Sequence, residues 1–262
     1  MEIVIYLLTG AIAGLMAGLL GVGGGLVIVP ALALFFASQG FADATLMHFA
    51  VGTSLATIIP ISVSSLLAHH RRDSVDWQAV RGLVPGIIPG ALAGAWLARQ
   101  VSSPGLAILF GVFEILVAVH LLIGRQAGAN RALAGASGLG VAGAVIGGVS
   151  AMLGIGGGTL SVPFLLWSRV DIRTAVGTAA TCGLPIAIAG AVGFAISGWN
   201  VTVQAGLSSG FIYWPAVFWL ALASVPIAPL GARLAHYLPR KTLRRVFALL
   251  LAMIGLKMIL GV

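Results

Sequence analysis

Hydrophobic residues run through this chain in long stretches, and charged residues are confined to the gaps between them. No charged side chain lies within residues 3–42, 132–168 or 174–232. A helix needs about 20 apolar residues to cross a bilayer, so each of these stretches is long enough for two passes. Ten hydrophobic segments follow, near residues 3–20, 25–39, 44–68, 79–98, 104–123, 133–152, 157–168, 174–197, 207–235 and 243–261. The pattern predicts an all-α integral membrane protein.

Composition agrees with a membrane protein and excludes two other classes. Sixty per cent of the 262 residues are hydrophobic and 8% are charged, whereas a soluble domain carries about 25% charged residues. The net charge of +8 does not indicate nucleic-acid binding, because the basic residues are dispersed among short connections rather than gathered on one face. The first segment follows Glu2 rather than a basic region and is longer than a signal sequence, so we expect it to be mature structure.

The basic residues also predict an orientation. If residues 3–39 and 133–168 each enter the membrane and return, only Arg99 and Lys257 fall on one side. The other side then holds twelve basic residues: Arg71, Arg72, Arg81, Arg125, Arg131, Arg169, Arg173, Arg233, Arg240, Lys241, Arg244 and Arg245. Basic loops face the cytoplasm. We therefore expect a multi-pass protein of the cytoplasmic (inner) membrane with both termini outside.

Three motifs recur in the same order in the two halves of the chain. They are GVGGGLVIVP at 21–30 and GIGGGTLSVP at 154–163, Val-Gly-Thr at 51–53 and 176–178, and Pro with Gly-Ala at 89–95 and 226–232. They predict two repeats, residues 1–125 and 131–262; chance similarity of apolar segments is the alternative. Five segments per repeat is an odd number, so the second copy is predicted to be inverted. Inverted repeats are typical of secondary transporters, which bind substrate near mid-membrane between the halves.

The two GxGGG runs are predicted to break or re-enter as helices within the membrane, because glycine accepts conformations that end a helix. Unwound backbone at that depth must be buried or line a polar cavity, and its N–H groups can hold an anion. The predicted donors are the amides of Gly23, Gly24, Gly25, Gly156, Gly157 and Gly158. The alternative is close helix packing, which we favour for the separate GxxxG series at 10–18, 86–94 and 143–147.

Hydroxyl groups recur beside these runs. Thr53 and Thr178 hold equivalent places after Val-Gly, and Ser54 and Thr57 add hydroxyls in the first copy only. These four residues are candidate substrate ligands that would complete a ring of donors around an oxyanion. The alternative is that each hydroxyl bonds to the preceding turn of its own helix.

Three ionisable residues are candidates for coupling or gating. Glu114 is the one acid deep within a predicted span, where a carboxylate is costly and usually functional, for example as a proton carrier; a neutral carboxyl that hydrogen-bonds to another helix is the alternative. His48 and Arg173 begin equivalent segments and would attract an anion at opposite mouths; an interfacial role is the alternative for each. No metal site is expected, and neither glycine run continues into the Lys-Ser/Thr of a P-loop. We therefore expect no cofactor.

The stretches "GLLGVGGGLVIVPAL", "AMLGIGGGTLSVPFL", "VGTSLATIIP", "AHHRRDSVDW" and "AVGTAAT" make essentially the whole chain resemble the sulfite exporter TauE/SafE family, also called the toluene sulfonate uptake permease family. The resemblance implies a permease of two related halves that moves sulfite or organosulfonates, coupled to an ion gradient. Ala179 and Cys182 stand where the first copy has Ser54 and Thr57, so a symmetric site is not implied.

The leading hypothesis is a secondary transporter of small sulfur-containing oxyanions, with the anion held mid-membrane. Its expected partners are the anionic substrate, a coupling proton or sodium ion, and the lipid bilayer. A passive anion channel or uniporter with the same site is the first alternative. A membrane-embedded enzyme or assembly subunit is the second, and Glu114 with scattered histidines forms a weak catalytic set for it. A homo-oligomer stays open, since the GxxxG faces can be used within one protomer or between two.

Overall fold

The computed structural model describes residues 2–20, 23–123, 135–168, 170–201, 207–234 and 240–261. Within these ranges the chain forms ten helices and one two-stranded hairpin. The helices are α1 Glu2–Leu20, α2 Gly25–Ser38, α3 Leu46–His70, α4 Trp77–Gln100, α5 Ser103–Ile123, α6 Ala136–Leu153, α7 Gly158–Trp167, α8 Ile172–Ser197, α9 Trp214–Leu234 and α10 Arg240–Leu260. The antiparallel strands β1 Ser208–Ser209 and β2 Ile212–Tyr213 precede α9.

Five helices of the described residues are long and apolar enough to cross a membrane. They are α3, α4, α5, α8 and the part of α9 up to Gly231. Helices α1, α2, α6 and α7 contribute shorter apolar stretches. Exposed leucine, isoleucine, valine and tryptophan side chains cover the outside of the bundle, as expected for a surface that faces lipid rather than water. The prediction of an all-α membrane protein is confirmed.

A helix ends and another begins at each glycine run. Helix α1 ends at Leu20 and α2 begins at Gly25, while α6 ends at Leu153 and α7 begins at Gly158. The 14 residues of α2 and the 10 of α7 extend about 21 and 15 Å at 1.5 Å per residue. Neither length crosses a hydrocarbon core of about 30 Å. Both short helices therefore start inside the bundle.

Helix packing is matched between the two halves of the chain. Exchanging α1–α5 for α6–α10 in order converts the α1–α9 contact into α6–α4, the α2–α3 contact into α7–α8, and the α3–α9 contact into α8–α4. The α3–α8 and α5–α10 contacts convert into themselves. The long helices α3 and α8 are the most deeply buried of the candidate spans. They form the centre of the bundle, and the start of α2 and that of α7 lie against them.

The GxxxG series lie in helix contacts, as predicted. A Cβ added at Gly86, Gly90 or Gly94 of α4 would meet the backbone of α6, and one added at Gly10 or Gly14 of α1 would meet the backbone of α9. Without side chains at these positions the helix backbones approach closely, which is how membrane helices gain packing energy. These glycines hold each half against the other.

Two features differ from the sequence prediction or fall outside the structure. The predicted segment at 207–235 is not helical throughout: residues 208–213 form the hairpin, in which Gly210 has a φ of +57°. The boundary between the predicted repeats, at residues 125–131, lies outside the described residues, and so does Arg169 of the predicted basic side.

Candidate functional site

The two glycine runs touch each other at the centre of the bundle. A Cβ added at Gly23 would lie 2.9 Å from the Cα of Gly156, its counterpart in the repeat. A Cβ added at Gly25 would lie 2.5 Å from the carbonyl oxygen of Gly154 and 2.7 Å from the Cα of Ile155. Gly23 has a φ of +83°, which disfavours any other residue there. Helices α2 and α7 thus begin beside one another.

Both short helices present their N-termini at this contact. The first helical bond of α2 runs from the Ile28 N–H to the Gly24 carbonyl, and that of α7 runs from the Ser161 N–H to the Gly157 carbonyl. The Val27 N–H also donates to the Gly24 carbonyl at 3.0 Å, whereas the N–H groups that come before it in α2, and those of the first turn of α7, have no acceptor within their helix. The positive ends of two helix dipoles therefore meet at one place, and the glycines from Gly154 to Gly158 are buried there. Such an arrangement suits a bound anion.

The surroundings of α7 are more polar than those of α2. A Cβ added at Gly183 of α8 would lie 3.3 Å from the Gly157 nitrogen and 3.3 Å from Ser62 Oγ. By the spacing of the predicted repeat, Ile58 of α3 corresponds to Gly183, and the end of the Ile58 side chain lies beside Gly25. The glycine at 183 instead lets the backbone of α8 pack closely against the N-terminus of α7.

Three hydroxyls near the second glycine run escaped the sequence analysis. Ser150 at the end of α6 and Thr159 and Ser161 at the start of α7 are buried, and none of their hydroxyl oxygens has a hydrogen-bond partner. A buried hydroxyl without a partner is costly. Their counterparts in the first repeat are apolar: Ala17, Leu26 and Ile28. Comparing the repeats position by position, rather than motif by motif, is the signal that reveals these three.

Ser54 and Thr57 use their donors within the protein. Ser54 Oγ donates to the Gly154 carbonyl oxygen at 2.8 Å, and Thr57 Oγ1 donates to the Thr53 carbonyl oxygen at 2.8 Å. A hydroxyl has a single hydrogen to donate. In this conformation Ser54 therefore fixes the end of α6 to α3, and Thr57 bonds to the preceding turn of its own helix.

Thr53 and Thr178 tie the two halves together in matched bonds. Thr53 Oγ1 accepts from the backbone N–H of Tyr213 at 3.0 Å, and Thr178 Oγ1 accepts from the backbone N–H of Asp76 at 2.9 Å. Tyr213 directly precedes α9 and Asp76 directly precedes α4. Each threonine thus holds the start of a long helix of the opposite half.

Replacing either threonine by valine is expected to destabilise the protein by about 1–3 kcal/mol, because valine keeps the shape but leaves a partly buried N–H without its acceptor. The two losses are expected to be similar, since the bonds are equivalent. Thermal unfolding of purified protein in detergent measures the effect. Thr53→Ser should restore the bond, and Thr45→Val, at an exposed site with a bond only to Ala42, should change little. Equal stability of Thr53→Val and wild type would contradict this role.

His48 and Arg173 lie at the starts of their helices. His48 is buried, its Nε2 lies 3.1 Å from the Ala98 carbonyl oxygen, and its Nδ1 has no partner. The Nε2 position is therefore the donor, and the imidazole ring packs on Phe211. Arg173 is exposed, and its backbone N–H donates to Asp171, which caps α8. The contacts of these two residues are with Ala98, Phe211 and Asp171 rather than with the glycine runs.

Glu114 is fully buried in α5, and neither of its carboxyl oxygens has a hydrogen-bond partner. Among the described residues, no three His, Cys, Asp or Glu side chains come together to hold a metal ion. An open apolar groove of about 710 Å³ lies along α9 between Trp214 and Pro226, and none of the predicted site residues lines it.

Comparison with known proteins identifies the family. The family model described as "Sulfite exporter TauE/SafE" matches residues 6–258. A probable membrane transporter protein of Haemophilus influenzae is 38% identical over 260 residues, covering 98% of each chain. The probable membrane transporter protein YunE of Bacillus subtilis is 32% identical over 285 residues, covering 99% of this chain and 98% of its own. No solved structure is significantly similar to the chain. The chain belongs to the sulfite exporter TauE/SafE family of membrane transporters.

Proposed function

We propose that this protein is a secondary transporter of small sulfur-containing oxyanions, and that it holds the anion where the two glycine runs meet. The observation that carries the proposal is the convergence of two helix N-termini in the buried centre of the bundle, at Gly23–Gly25 and Gly156–Gly158. Backbone amides and helix dipoles favour a negative charge there without any basic side chain.

Hydroxyl donors support an oxyanion in particular. Ser150, Thr159 and Ser161 are buried without partners next to the second run, and a ligand with several oxygen acceptors would satisfy them. Thr53 and Thr178 accept bonds through their oxygens at the starts of α9 and α4, so each hydroxyl keeps a hydrogen that it could donate to an anion that reaches it. Ser54 and Thr57 would take part only after giving up their present acceptors. The excess of donors over acceptors suits an anion better than a cation or a neutral solute.

The anion is expected to lie nearer to α7 than to α2. Gly183 places no side chain over the Gly157 amide, and Ser62 Oγ lies close by; the three hydroxyls without partners belong to the second half. On the other side the equivalent positions carry apolar side chains. The site is therefore asymmetric, although the backbone around it is matched between the halves.

Sulfite is the substrate that the family description names, and we extend the proposal from it to other small sulfur oxyanions, which a few amides and hydroxyls could bind. Sulfite and the sulfonate group each present three oxygens that accept hydrogen bonds. An organosulfonate also carries an apolar or polar tail, which would have to lie among the buried side chains of α3 and α8.

Transport by alternating access requires the two halves to move against each other around this site. In this proposal the two halves form an inverted repeat, which would supply two equivalent arrangements, one open to each side. The matched ties of Thr53 to Tyr213 and of Thr178 to Asp76 join opposite halves. Opening toward one side would break one tie and keep the other. An imposed ion gradient would then drive accumulation, with His48 and Arg173 near the entrances.

Uptake of radiolabelled sulfite into proteoliposomes tests this function. We expect saturable uptake that unlabelled organosulfonates inhibit, and accumulation above equilibrium when a proton or sodium gradient is imposed. Protein-free liposomes give the passive baseline. Equilibration without accumulation would indicate a uniporter or channel, and the absence of flux for every sulfur anion tested, with folded protein, would reject the proposed substrate class.

A further inference from the structure

No described contact of the protein accounts for a carboxyl group at Glu114. It is 0% exposed, and both of its carboxyl oxygens lack a partner. We propose that Glu114 is the proton-binding site that couples transport to a proton gradient. This inference rests on the proposed function, since it names the coupling ion for that transport.

The contacts of Glu114 have a mirror image across the α5–α10 interface. A Cβ added at Gly111 would lie 2.5 Å from the Gly255 carbonyl oxygen, and one added at Gly255 would lie 2.7 Å from the Gly111 carbonyl oxygen. The Cβ added at Gly111 would also lie 3.2 Å from the Cβ of Met258, and the Cβ added at Gly255 would lie 3.2 Å from the Cβ of Glu114. Glu114 and Met258 thus occupy equivalent positions relative to the facing glycine, although Met258 is half-buried and Glu114 is fully buried.

Because the two positions are equivalent, the packing role of the side chain at 114 can be considered separately from its chemical role. The interface accommodates the thioether of Met258 on one side and the carboxyl of Glu114 on the other, and the two side chains have similar length. A methionine at 114 would satisfy the same packing without burying an unpaired polar group. Packing therefore does not account for an acid at this position, and an acid kept in a membrane interior is generally functional.

No charged group faces Glu114 from the helices packed on α5, as far as the described side chains extend. Helix α10 presents Gly255, Met258 and Ile259 to α5, while its Lys257 is exposed. Helix α6 contains no titratable residue between Ala136 and Leu153. On α3, His48 bonds to Ala98, and His69 and His70 stand at the opposite end of the helix. His120 of α5 itself is exposed.

An isolated buried carboxyl is held in its neutral form, because ionisation without a partner or water is very costly. Glu114 would then bind a proton from water on one side, forming an O–H bond, and release it to water on the other side. Both steps need a conformation in which water reaches the carboxyl. The α5–α10 pair contacts α2, α3 and α6, the helices that carry or border the glycine runs, so a rearrangement at the anion site reaches this interface.

Two assays on the full-length protein in proteoliposomes test the proposal. The first is exchange of radiolabelled for unlabelled sulfite at equal pH, and the second is sulfite accumulation driven by a pH gradient. Glu114→Gln and Glu114→Met are expected to keep exchange within about twofold of wild type, because neither change alters the size of the side chain much. Both are expected to lose the accumulation, down to the protein-free baseline. Met258→Gln, which places an amide at the equivalent site, should keep both activities.

The outcomes separate this inference from the proposed function. Accumulation by Glu114→Gln and Glu114→Met at the wild-type level would overturn the role of Glu114 and leave the transporter intact. Loss of exchange together with accumulation in both variants would assign Glu114 a structural role and also overturn the proposal. A folded wild-type protein that exchanges no sulfite would overturn the proposed function, and the coupling role with it.

Discussion

Replacing Gly157 by alanine is expected to reduce anion transport by about five- to 150-fold, since a forced shift in a packed site costs about 1–3 kcal/mol and 1.4 kcal/mol is a factor of ten. The added Cβ would lie 2.7 Å from the Ala179 carbonyl oxygen and 2.8 Å from the Gly183 nitrogen. These are backbone atoms of α8, so they cannot turn away as a side chain can. The start of α7 must therefore move, and its amides with it. Sulfite uptake by proteoliposomes measures the loss.

Gly140→Ala is the matched control for this change. Gly140 also lies in a helix of the second half, but nothing is within 4 Å of a Cβ added there. Its alanine variant should transport like wild type and be slightly more stable, because alanine favours a helix by about 1 kcal/mol over glycine. Full uptake by a folded Gly157→Ala protein would contradict an anion site at the start of α7.

Replacing Gly90 by valine is expected to destabilise the protein by about 3 kcal/mol or more, the upper range for overpacking. A Cβ at Gly90 would meet the backbone of Ala144, and Gly86 and Gly94 make the same kind of contact one turn away on either side. Helices α4 and α6 belong to different halves, so separating them weakens the contact that joins the halves. The yield of monodisperse protein and its thermal unfolding midpoint report the effect.

Gly140→Val provides the comparison, because it adds the same β-branched side chain to α6 at a position with open space. It should change the stability only by the difference in helix propensity, which favours valine over glycine by a few tenths of a kcal/mol. A Gly90→Val protein with the yield and midpoint of Gly140→Val would show that the two helix backbones do not depend on this contact.

The sequence predicts the helical class and the places where helices end, because both follow from local chemistry. Long apolar runs require helices in a membrane, and the glycine runs at 23–25 and 156–158 fall where α1 and α6 have ended. The GxxxG series could be assigned to packing for the same local reason. The hairpin before α9 could not be separated from the helix by hydropathy, since its residues are uncharged and continue directly into the apolar helix.

The hydrogen-bond partners of individual side chains cannot be predicted from sequence patterns, because they depend on contacts between residues that are far apart in the chain. Thr53 and Tyr213 are 160 positions apart, and Thr178 and Asp76 are 102 apart. Nothing local to Val-Gly-Thr indicates that the hydroxyl oxygen accepts a bond from the opposite half. The equivalence of Glu114 and Met258 could not be predicted for a related reason. It depends on the register in which α5 packs on α10, and the two helices share no sequence motif that would indicate this register.

The hydroxyls of Ser150, Thr159 and Ser161 could not be identified as site candidates from the sequence for a different reason. Each is unremarkable alone, since serine and threonine in membrane helices commonly bond to the preceding turn. Thr57, Thr181 and Ser168 do so here. Only the structure separates those hydroxyls from the ones without partners, and only the repeat shows that the first half lacks them.

Locating a bound anion directly is the measurement that tests the proposed site best. Selenite, the selenium analogue of sulfite, can be identified in crystals of the purified protein by its anomalous scattering. We expect a peak within hydrogen-bond distance of the Gly157 or Gly158 amide, between the starts of α2 and α7, that sulfite displaces. A displaceable peak at the groove along α9, or beside Arg173, with none at the glycine runs would contradict an anion site formed by the two helix N-termini.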